Sequence, residues 1–342
     1  LLAQSIQGEF TLFAGDAQDL EHVNASSELT HGYFVHAHNL HLGKGKFYFC
    51  YQANLLRWLR NWNLDCVIME ANPRYLASRR AILWMHQRNR PVIGWGLGAP
   101  QSGNGFERGI WRKFIHQFDA LIAYSQKGKQ EYIALGVPAE KVFVAPNAVL
   151  PVPVHDLPSR PMHTQLNLLY VGRLQARKKV DELIKVCAEL HAQGEDISLV
   201  VVGDGPERQN LEAIASQFFP DTEFAGSVYG KDLQPYFHQA DLFVLPGTGG
   251  LAVQEALSYG LPVIVAEADG TQTNMVRSEN GWVIDSQEQH GLLTALHQAL
   301  RMKDNLPMMG EASYQIARDE VNINQMVKVF SQAIAYVHAG RE

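Results

Sequence analysis

The sequence has few cysteines and no excess of basic residues, and each shortage excludes a class of protein. Its 342 residues include three cysteines, Cys50, Cys66 and Cys187, which lie far apart without a paired spacing. This pattern fits neither a disulfide framework nor a zinc site, and it favours a reducing compartment such as the cytoplasm. The formal net charge of −6 argues against a nucleic-acid-binding protein that works through bulk electrostatics.

Long apolar runs and sequence repeats are also missing. No apolar run approaches the roughly 20 residues of a membrane-spanning helix. The first residues, LLAQSIQGEF, contain no methionine and do not decide whether a signal peptide precedes them. What the chain does have is apolar material, since hydrophobic residues make up 46% of it and charged residues 19%. This composition and length predict about two folded domains with buried cores.

The second half of the chain alternates short apolar runs with amphipathic stretches. The strong runs are 166–172, 197–203, 241–247 and 261–267, and weaker ones lie at 222–226 and 281–285. The stretches between them, such as VDELIKVCAELHAQ, carry apolar residues at three-to-four spacing and predict helices. Continuous apolar strands separated by helices predict an α/β fold with a doubly wound parallel sheet, whose ligands lie at the carboxyl ends of the strands.

The first half repeats this alternation less regularly. Its predicted strands are 10–15, 64–70, 90–96 and 118–125. The segment 148–164 contains four prolines and no helical pattern, so it is the predicted linker. We therefore predict an N-terminal domain at 1–150 and a C-terminal domain at 160–322, with a crevice between them. A last helix at about 322–342 could pack on either domain.

One stretch, LPGTGGLAVQEALSYG at 245–260, joins a strand end, a glycine-rich turn and a helix. If the helix begins near Gly249, the amides of Gly249, Gly250 and Leu251 are unpaired and suit an anion such as a diphosphate. Along the helix axis, Glu255 lies about 7.5 Å from Gly250. Its side chain leans back toward the turn and could accept hydrogen bonds from the vicinal hydroxyls of a ribose. The alternative is a partly exposed helix acid that happens to follow a turn.

Two further strand-to-helix turns carry candidate residues. The segment VGRLQARKK places five of them between a strand and the next helix: Gly172, Arg173, Arg177, Lys178 and Lys179. Cations at such a place can reach phosphate oxygens through charge-assisted hydrogen bonds, and the alternative is a solvated basic loop. The second turn, VVGDGPE, contains Gly203 and Gly205 but does not match the GxGxxG fingerprint, which argues against an NAD-dependent dehydrogenase.

Taken in order, these motifs resemble a known family. The segments VGRL, VVGDGPE, FAGSV, ADLFVLPG with GLAVQEALSYGLPVIVAE, and NGWVID look like the second domain of retaining glycosyltransferases of the GT-B fold, family 4 (glycosyl transferases group 1). Their order and spacing match over about 118–285, whereas the first 115 or so residues match in pattern alone. The resemblance implies two Rossmann-like doubly wound domains that face a central crevice.

The resemblance also implies roles for residues at matching positions. Arg173 and Lys178 would stabilise the leaving diphosphate of a nucleotide sugar and are the catalytic candidates. The turn from Thr248 to Leu251 would bind the diphosphate through backbone amides, and Glu255 would hold the ribose. Gly249 and Gly250 belong to that turn, and the other implied nucleotide-sugar contacts are Gly172, Gly203, Gly205, Val228 and Gly247. A diphosphate held in this way requires no metal and no cofactor.

The implied reaction transfers a hexose-type sugar, with retention at the anomeric carbon, from a UDP-sugar to a glycan or lipid-linked glycan acceptor. The diphosphate would assist a front-face attack, so no protein base is required. The implied setting is polysaccharide biosynthesis in the cytoplasm, including the inner face of the membrane. Two alternatives stay open: a sugar-nucleotide-binding protein without transferase activity, and a nucleotide-sugar epimerase of the same fold.

The sequence departs from the family pattern at three places. The family usually has a glutamate eight residues before the position of Glu255, and Gly247 stands there. Family members often carry a histidine where this chain has Leu97. The opening strand and glycine-rich loop of the family would lie before Leu1.

The first domain offers looser candidates for the acceptor side. They are His36, His38, Asn72, Gly98 and Asn104, with Glu70 and Arg74 beside them. The histidines, together with His41, could contact an acceptor, could bind a metal, or could be ordinary loop residues. Trp58 and Trp62 with nearby arginines could touch a membrane surface, although a core helix explains them equally well.

Overall fold

The computed structural model describes the chain in several segments. Residues 7, 16–28, 101–104, 155–156, 158–163, 250, 268–269, 286–287, 289 and 341–342 and the side chain of Lys46 are outside the description. The chain divides into two units. Unit 1 comprises Leu1–Pro146 and Met326–Glu342, and unit 2 comprises Asn147–Gln325.

The described part of unit 1 contains eight strands. They are β1 (Thr11–Ala14), β2 (Tyr33–His36), β3 (His38–Leu42), β4 (Phe49–Ala53), β5 (Val67–Glu70), β6 (Val92–Gly96), β7 (Ala120–Ala123) and β8 (Val142–Val144). Its first helices are α1 (Leu2–Ser5), α2 (Leu55–Trp62), α3 (Ser78–His86), α4 (Gly105–Ile115) and α5 (Gln126–Ala134). β1 pairs in parallel with β2, β3 and β4 form an antiparallel hairpin, and β5 to β8 form a parallel sheet in chain order.

Unit 2 contains a six-stranded sheet. Its strands are β9 (Leu166–Val171), β10 (Ile197–Val202), β11 (Glu223–Gly226), β12 (Leu242–Leu245), β13 (Val263–Ala266) and β14 (Gly281–Ile284). Its helices are α6 (Val180–Ala192), α7 (Arg208–Phe218), α8 (Gln234–Gln239), α9 (Leu251–Ser258), α10 (Gly291–Arg301) and α11 (Leu306–Asp319). The last helix, α12 (Ile323–Ala339), belongs to unit 1 from Met326 onward.

The β5–β8 sheet of unit 1 buries apolar residues on both faces. Val92 and Leu121 point into one core with α2, α3 and α4. The neighbouring residues Ile93 and Ile122 point into a second core, which α12 covers with Phe330 and other residues. Alternate side chains of a strand point to opposite faces, so a run of consecutive apolar residues is what a sheet covered on both sides requires.

The sheet of unit 2 has the order β11-β10-β9-β12-β13-β14, and all its pairs are parallel. The order reverses between β9 and β12, because the chain first moves outward from β9 to β11 and then crosses back. Loops at the carboxyl ends of the two strands beside such a reversal diverge to opposite faces and leave room for a ligand. The predicted α/β class with parallel sheets is confirmed.

Several elements of unit 1 differ from the sequence prediction. The predicted strand at 64–70 is shorter, since β5 begins at Val67, and β2, β3, β4 and β8 were not predicted. β3, with the sequence HNLHL, exposes its leucines and has a weak apolar signal. None of the helices in the described segments is both long and apolar enough to cross a membrane.

Candidate functional site

Three strand-end loops of unit 2 are joined by backbone hydrogen bonds. The Leu174 amide donates to the Asp204 carbonyl at 2.9 Å, and the Glu207 amide donates to the Leu174 carbonyl at 3.1 Å. These bonds tie the loop after β9 to the loop after β10. The Thr248 amide donates to the Arg177 carbonyl at 3.2 Å, which ties the β9 loop to the turn after β12. The candidate turns of the sequence therefore form one surface at the carboxyl edge of the sheet.

The glycines at this edge lie where backbones approach closely. A Cβ on Gly203 would lie 1.9 Å from the Gly172 carbonyl oxygen, and one on Gly205 would lie 2.3 Å from the Leu174 carbonyl oxygen. Both distances are far shorter than any real contact of a Cβ atom. These two glycines therefore allow the β9 and β10 loops to pack together, and their role toward a nucleotide sugar stays a prediction.

Gly247 also lies against the backbone of a neighbouring loop. A Cβ there would lie 2.3 Å from the Arg177 carbonyl oxygen and 2.6 Å from Lys178 Cα. The buried side chain of Gln272 donates from Nε2 to the Gly247 carbonyl at 3.2 Å. The position where the family usually has a glutamate is thus filled by the backbone of the β9 loop.

The turn that follows brings two cations to the start of α9. The Cβ position of Gly249 lies 2.1 Å from Lys178 Nζ, so the ammonium group contacts the turn itself. Arg177 donates from Nη1 to Thr248 Oγ1 at 2.9 Å and from Nε to Gln175 Oε1 at 3.0 Å. The Arg177 contact was not assigned from the sequence, because nothing in VGRLQARKK distinguishes it from its basic neighbours.

The helix itself starts later than the sequence suggested. α9 begins at Leu251 rather than near Gly249, because Gly249 has φ +126°, a conformation outside the helix. The unpaired amides of the first helical turn therefore begin at the exposed Leu251. Gly250, a further candidate, lies outside the described residues.

Glu255 sits in the middle of α9 and is half-buried. Burial raises the pKa of its carboxyl group. Burial, and then the charge of Glu255, raise the pKa of Tyr259 one turn further on. No ion pair or side-chain hydrogen bond joins the Glu255 carboxylate to another described residue. A partly desolvated acid without a cation is a good acceptor for the hydroxyls of a ligand.

The neighbouring Gln254 connects this helix to the start of the linker. Its side chain is 3% exposed, donates from Nε2 to the Asn147 carbonyl and accepts from the Val149 amide at 3.2 Å. Because both the NH₂ group and the oxygen of this buried amide are hydrogen-bonded, the side chain holds the backbone at 147–149 against α9. Sequence reasoning missed this residue, because a glutamine beside a glutamate carries no distinct signal.

The other predicted residues of unit 2 lie around these loops. Arg173 is half-buried, and its carbonyl accepts from the hydroxyl of the buried Tyr170 at 3.2 Å. Burial raises the pKa of Tyr170. Gly172 lies against the same hydroxyl, with its Cβ position 2.9 Å from Tyr170 Oη. Val228 follows β11 and packs on the hydrophobic core of the unit.

The histidine candidates of unit 1 lie on two strands. His36 ends β2 and His38 begins β3, and both are exposed on either side of the buried Ala37. His41 contacts Tyr48, with 2.7 Å between Nδ1 and the hydroxyl oxygen. Among the described residues, no three His, Cys, Asp or Glu side chains converge as a metal site would require. A contact of His36 or His38 with an acceptor stays a prediction.

Asn72 and the segment around it form a local turn after β5. Its Oδ1 accepts from the Arg74 amide at 3.0 Å and its carbonyl accepts from the Tyr75 amide at 3.1 Å. Such a turn uses the Asn side chain to satisfy nearby backbone groups. The structure therefore gives Asn72 a local role, and its role toward an acceptor stays a prediction.

Gly98 lies in the turn after β6. It has φ +130°, and a Cβ there would lie 2.2 Å from Glu131 Oε2. The same carboxylate oxygen accepts from the Ala99 amide at 3.0 Å. Glu131 thus fixes the turn in which the family often has a histidine. Asn104 lies outside the described residues.

A half-buried acid ends the strand next to that turn. Glu70 is the last residue of β5, opposite Trp95 on β6, and burial raises its pKa to about 7. After the effect of burial, the charge of Glu70 raises the pKa values of Tyr124 and Tyr132. The buried indole N–H of Trp95 finds no acceptor among the described residues. The carboxyl ends of β5, β6 and β7 therefore place an acid among aromatic rings.

Two family models match the chain. One, described as Glycosyl transferases group 1, matches residues 158–316. The other, described as Glycosyltransferase Family 4, matches residues 8–151. The two matches do not overlap, and together they span most of the sequence.

Among curated proteins, the amylovoran biosynthesis glycosyltransferase AmsK of Erwinia amylovora is 28% identical over 264 residues, which cover 73% of this chain and 58% of that protein. A GDP-mannose-dependent alpha-mannosyltransferase of Mycobacterium tuberculosis is 29% identical over 248 residues, covering 67% of this chain and 62% of that protein. The chain therefore spans about three fifths of the length of these relatives.

Solved structures share the fold. The apo form of the lipopolysaccharide outer core galactosyltransferase WaaB has a TM-score of 0.65 at 19% identity, covering 83% of this chain and 78% of that one. Anabaena Alr3699/HepE in complex with UDP has a TM-score of 0.66 at 17% identity, covering 82% and 81%. At these identities the likeness shows the fold alone.

We predict that Glu70→Gln removes a pH dependence from the stability of unit 1. Burial raises the pKa of Glu70 to about 7, above its value in the unfolded chain, so the folded state resists ionisation. Its contribution is therefore complete below about pH 4.5 and is lost as the pH rises through about 7. At about 1.4 kcal/mol per pKa unit, the free energy of unfolding of the wild-type protein falls by about 3 kcal/mol over this pH range. The glutamine variant does not show this decrease.

The measurement is urea unfolding at several pH values between 5 and 8, monitored by tryptophan fluorescence. Five of the six tryptophans, Trp58, Trp62, Trp84, Trp95 and Trp111, lie in unit 1. The exposed Glu140 of the same unit provides the matched control, Glu140→Gln. Parallel pH profiles for the wild type and Glu70→Gln would contradict the prediction.

We also predict that Gly247→Glu destabilises unit 2 instead of restoring the family's pattern. The new Cβ would overlap the backbone of Arg177 and Lys178, and overpacking of this kind costs about 1–3 kcal/mol. Urea unfolding followed by circular dichroism measures the effect. The control is Gly291→Ala in the same unit, where a Cβ meets its nearest neighbours at 3.5 Å. A G247E protein as stable as the wild type would show that the β9 loop can move aside.

Proposed function

Because the chain belongs to family 4 of the GT-B glycosyltransferases, we propose that it transfers a sugar from a nucleoside diphosphate sugar to a glycan acceptor. The observation that carries this proposal is the position of Lys178, whose ammonium group contacts the turn before α9 at Gly249. A cation and the free amides of a helix start are together a favourable place for a diphosphate.

The residues around this place suit the rest of a nucleotide. Arg173 follows β9, the strand beside β12 in the sheet, and supplies a second charge for the phosphate oxygens. Glu255 lies about one turn into α9, and its carboxylate accepts hydrogen bonds from the two hydroxyls of a ribose. Gly172, Gly203 and Gly205 give the loops a backbone surface without side chains.

The proposed reaction is retaining transfer of a hexose. As the bond to the anomeric carbon breaks, negative charge builds up on the leaving diphosphate, and Arg173 with Lys178 stabilises it. Stabilisation of this type is often the largest contribution to catalysis. The acceptor hydroxyl attacks from the same face and gives its proton to the diphosphate, so the proposal includes neither a protein base nor a metal.

The nucleotide of the donor and the type of acceptor are proposed by analogy with the relatives. HepE was solved with UDP, while one curated relative is named as GDP-mannose-dependent. We propose UDP as the preferred nucleotide, with GDP as the alternative that the binding experiment below decides. AmsK is named for amylovoran biosynthesis, and we propose a polysaccharide or lipid-linked glycan as the acceptor, at the cytoplasmic face of a membrane.

One observation favours a second candidate function. The backbone of Arg177 and Lys178 fills the position where the family usually has an acid that faces the donor sugar. A chain that binds the nucleotide and lacks this contact could be a sugar-nucleotide-binding protein without transferase activity. Tight nucleotide binding without turnover is the result that distinguishes it.

We expect Glu255→Ala to weaken the binding of UDP or GDP. Loss of a hydrogen bond to a charged group costs about 1.5–3 kcal/mol, which corresponds to a roughly 10- to 150-fold higher Kd. Titration calorimetry with each nucleotide measures the change. Glu311→Ala, at an exposed position on α11, is the control and should leave Kd unchanged. An unaltered Kd for Glu255→Ala would exclude the ribose contact.

We expect the double variant Arg173→Ala and Lys178→Ala to lose turnover while it keeps its fold. Removing charge stabilisation of a leaving group lowers the rate by about 100-fold or more. The rate is measured as release of free UDP or GDP from UDP-glucose or GDP-mannose by chromatography, and folding by circular dichroism. The matched control removes two exposed cations, Arg301 on α10 and Lys328 on α12. Unfolding of the Arg173 and Lys178 variant would instead support a structural role for the loop.

A further inference from the structure

A buried glutamine in the loop after β13 reaches the turn that precedes α9. β13 pairs with β12 in the sheet, so the loops at their carboxyl ends are neighbours. Gln272 is 0% exposed, and its Nε2 donates to the Gly247 carbonyl at 3.2 Å. Gly247 is itself buried, and a buried carbonyl requires a donor. Gln272 supplies this donor from a different loop.

The hydrogen bond from Gln272 holds one side of a single peptide unit. The Gly247 carbonyl and the Thr248 amide belong to the same planar group, and in a trans peptide they point in opposite directions. The carbonyl accepts from Gln272, while the amide donates to the Arg177 carbonyl at 3.2 Å. The peptide unit is therefore clamped between the loop after β13 and the loop after β9. It cannot rotate without breaking both bonds.

This peptide unit sets the direction of the diphosphate turn, which we define as residues 247–249. The turn continues through Gly249, which has φ +126°, and leads into α9. Arg177, which accepts from the peptide unit, is followed by Lys178, whose ammonium group contacts the turn at Gly249. A rotated peptide unit would therefore separate the turn from this ammonium group.

The glutamine is held in turn by its own loop. It begins a short 3₁₀ helix, Gln272–Asn274, and its carbonyl accepts from the Met275 amide at 3.0 Å. Thr273 donates from Oγ1 to the Gly270 carbonyl at 2.8 Å. Met275 is 3% exposed and belongs to the hydrophobic core of unit 2. The backbone that carries Gln272 is therefore both hydrogen-bonded and anchored by packing.

The same side chain contributes little to the stability of the fold. Its Oε1 is buried and finds no donor among the described residues. A buried acceptor without a partner costs free energy of the same order as the bond at Nε2 contributes. The main effect of the side chain is therefore on the orientation of the Gly247–Thr248 peptide unit.

We propose that Gln272 is a positioning residue for the diphosphate turn and acts through the Gly247–Thr248 peptide unit. This inference rests on the proposed function, in which the turn and Lys178 bind the diphosphate of the donor. Gln272 does not touch the ligand. It holds the turn and the Lys178 ammonium group in the arrangement that phosphate oxygens require. Its loss therefore weakens the contacts with the phosphates and leaves those with the nucleoside intact.

The test compares Gln272→Met, which keeps the length of the side chain without the donor, with Gln272→Glu, which puts an oxygen in its place. Titration calorimetry measures Kd for UDP and GDP, and ligand-observed NMR measures Kd for uridine and guanosine. Loss of one hydrogen bond in Gln272→Met should raise the Kd of the bound diphosphate about 2- to 12-fold. Gln272→Glu at pH 8 should raise it further, because a carboxylate oxygen then faces the Gly247 carbonyl. Neither change should alter the Kd of the nucleoside.

Gln298→Met, at an exposed position on α10, is the matched control and should bind as the wild type does. Urea unfolding should show Gln272→Met to be as stable as the wild type. Three results would overturn the inference and leave the proposed function standing: an unchanged Kd for the diphosphate, an equal rise for diphosphate and nucleoside, or unfolding of Gln272→Met. A wild type that binds neither UDP nor GDP would overturn both. Because binding is measured, the result does not depend on turnover.

Discussion

The candidate site depends on one close contact, the packing of the Arg177–Lys178 backbone against Gly247. It is possible because Gly247 has no side chain, and it is held by the hydrogen bond from the Thr248 amide to the Arg177 carbonyl. The contact in turn requires β9 and β12 to be neighbours, which the apolar residues of both strands enforce by burial. With the loop in this place, the Lys178 ammonium group reaches the start of α9. A different residue at position 247 would alter the anion site and the packing together.

The parts of the fold that follow from apolar burial could be predicted. β12 and β13 are buried at every residue, so their runs stand out in the sequence, and the alternation with helices indicates a parallel sheet. The hairpin could not be predicted in the same way. β3 and β4 expose Leu40, Leu42 and Phe49 and bury Cys50, so the pattern of burial does not follow the pattern of hydrophobicity. The three histidines within 36–41 suggested an acceptor contact or a metal site, and in the structure this segment forms parts of two strands.

The candidate site also combines features that the sequence predicts with contacts that only the folded chain brings together. The resemblance to family 4 gave the family and the fold, and both are confirmed by the family models and the structural likeness. The contacts of Arg177 with Thr248, of Gln272 with Gly247 and of Gln254 with Asn147 could not be foreseen. Each joins residues from separate loops, and their types alone are compatible with an ordinary surface.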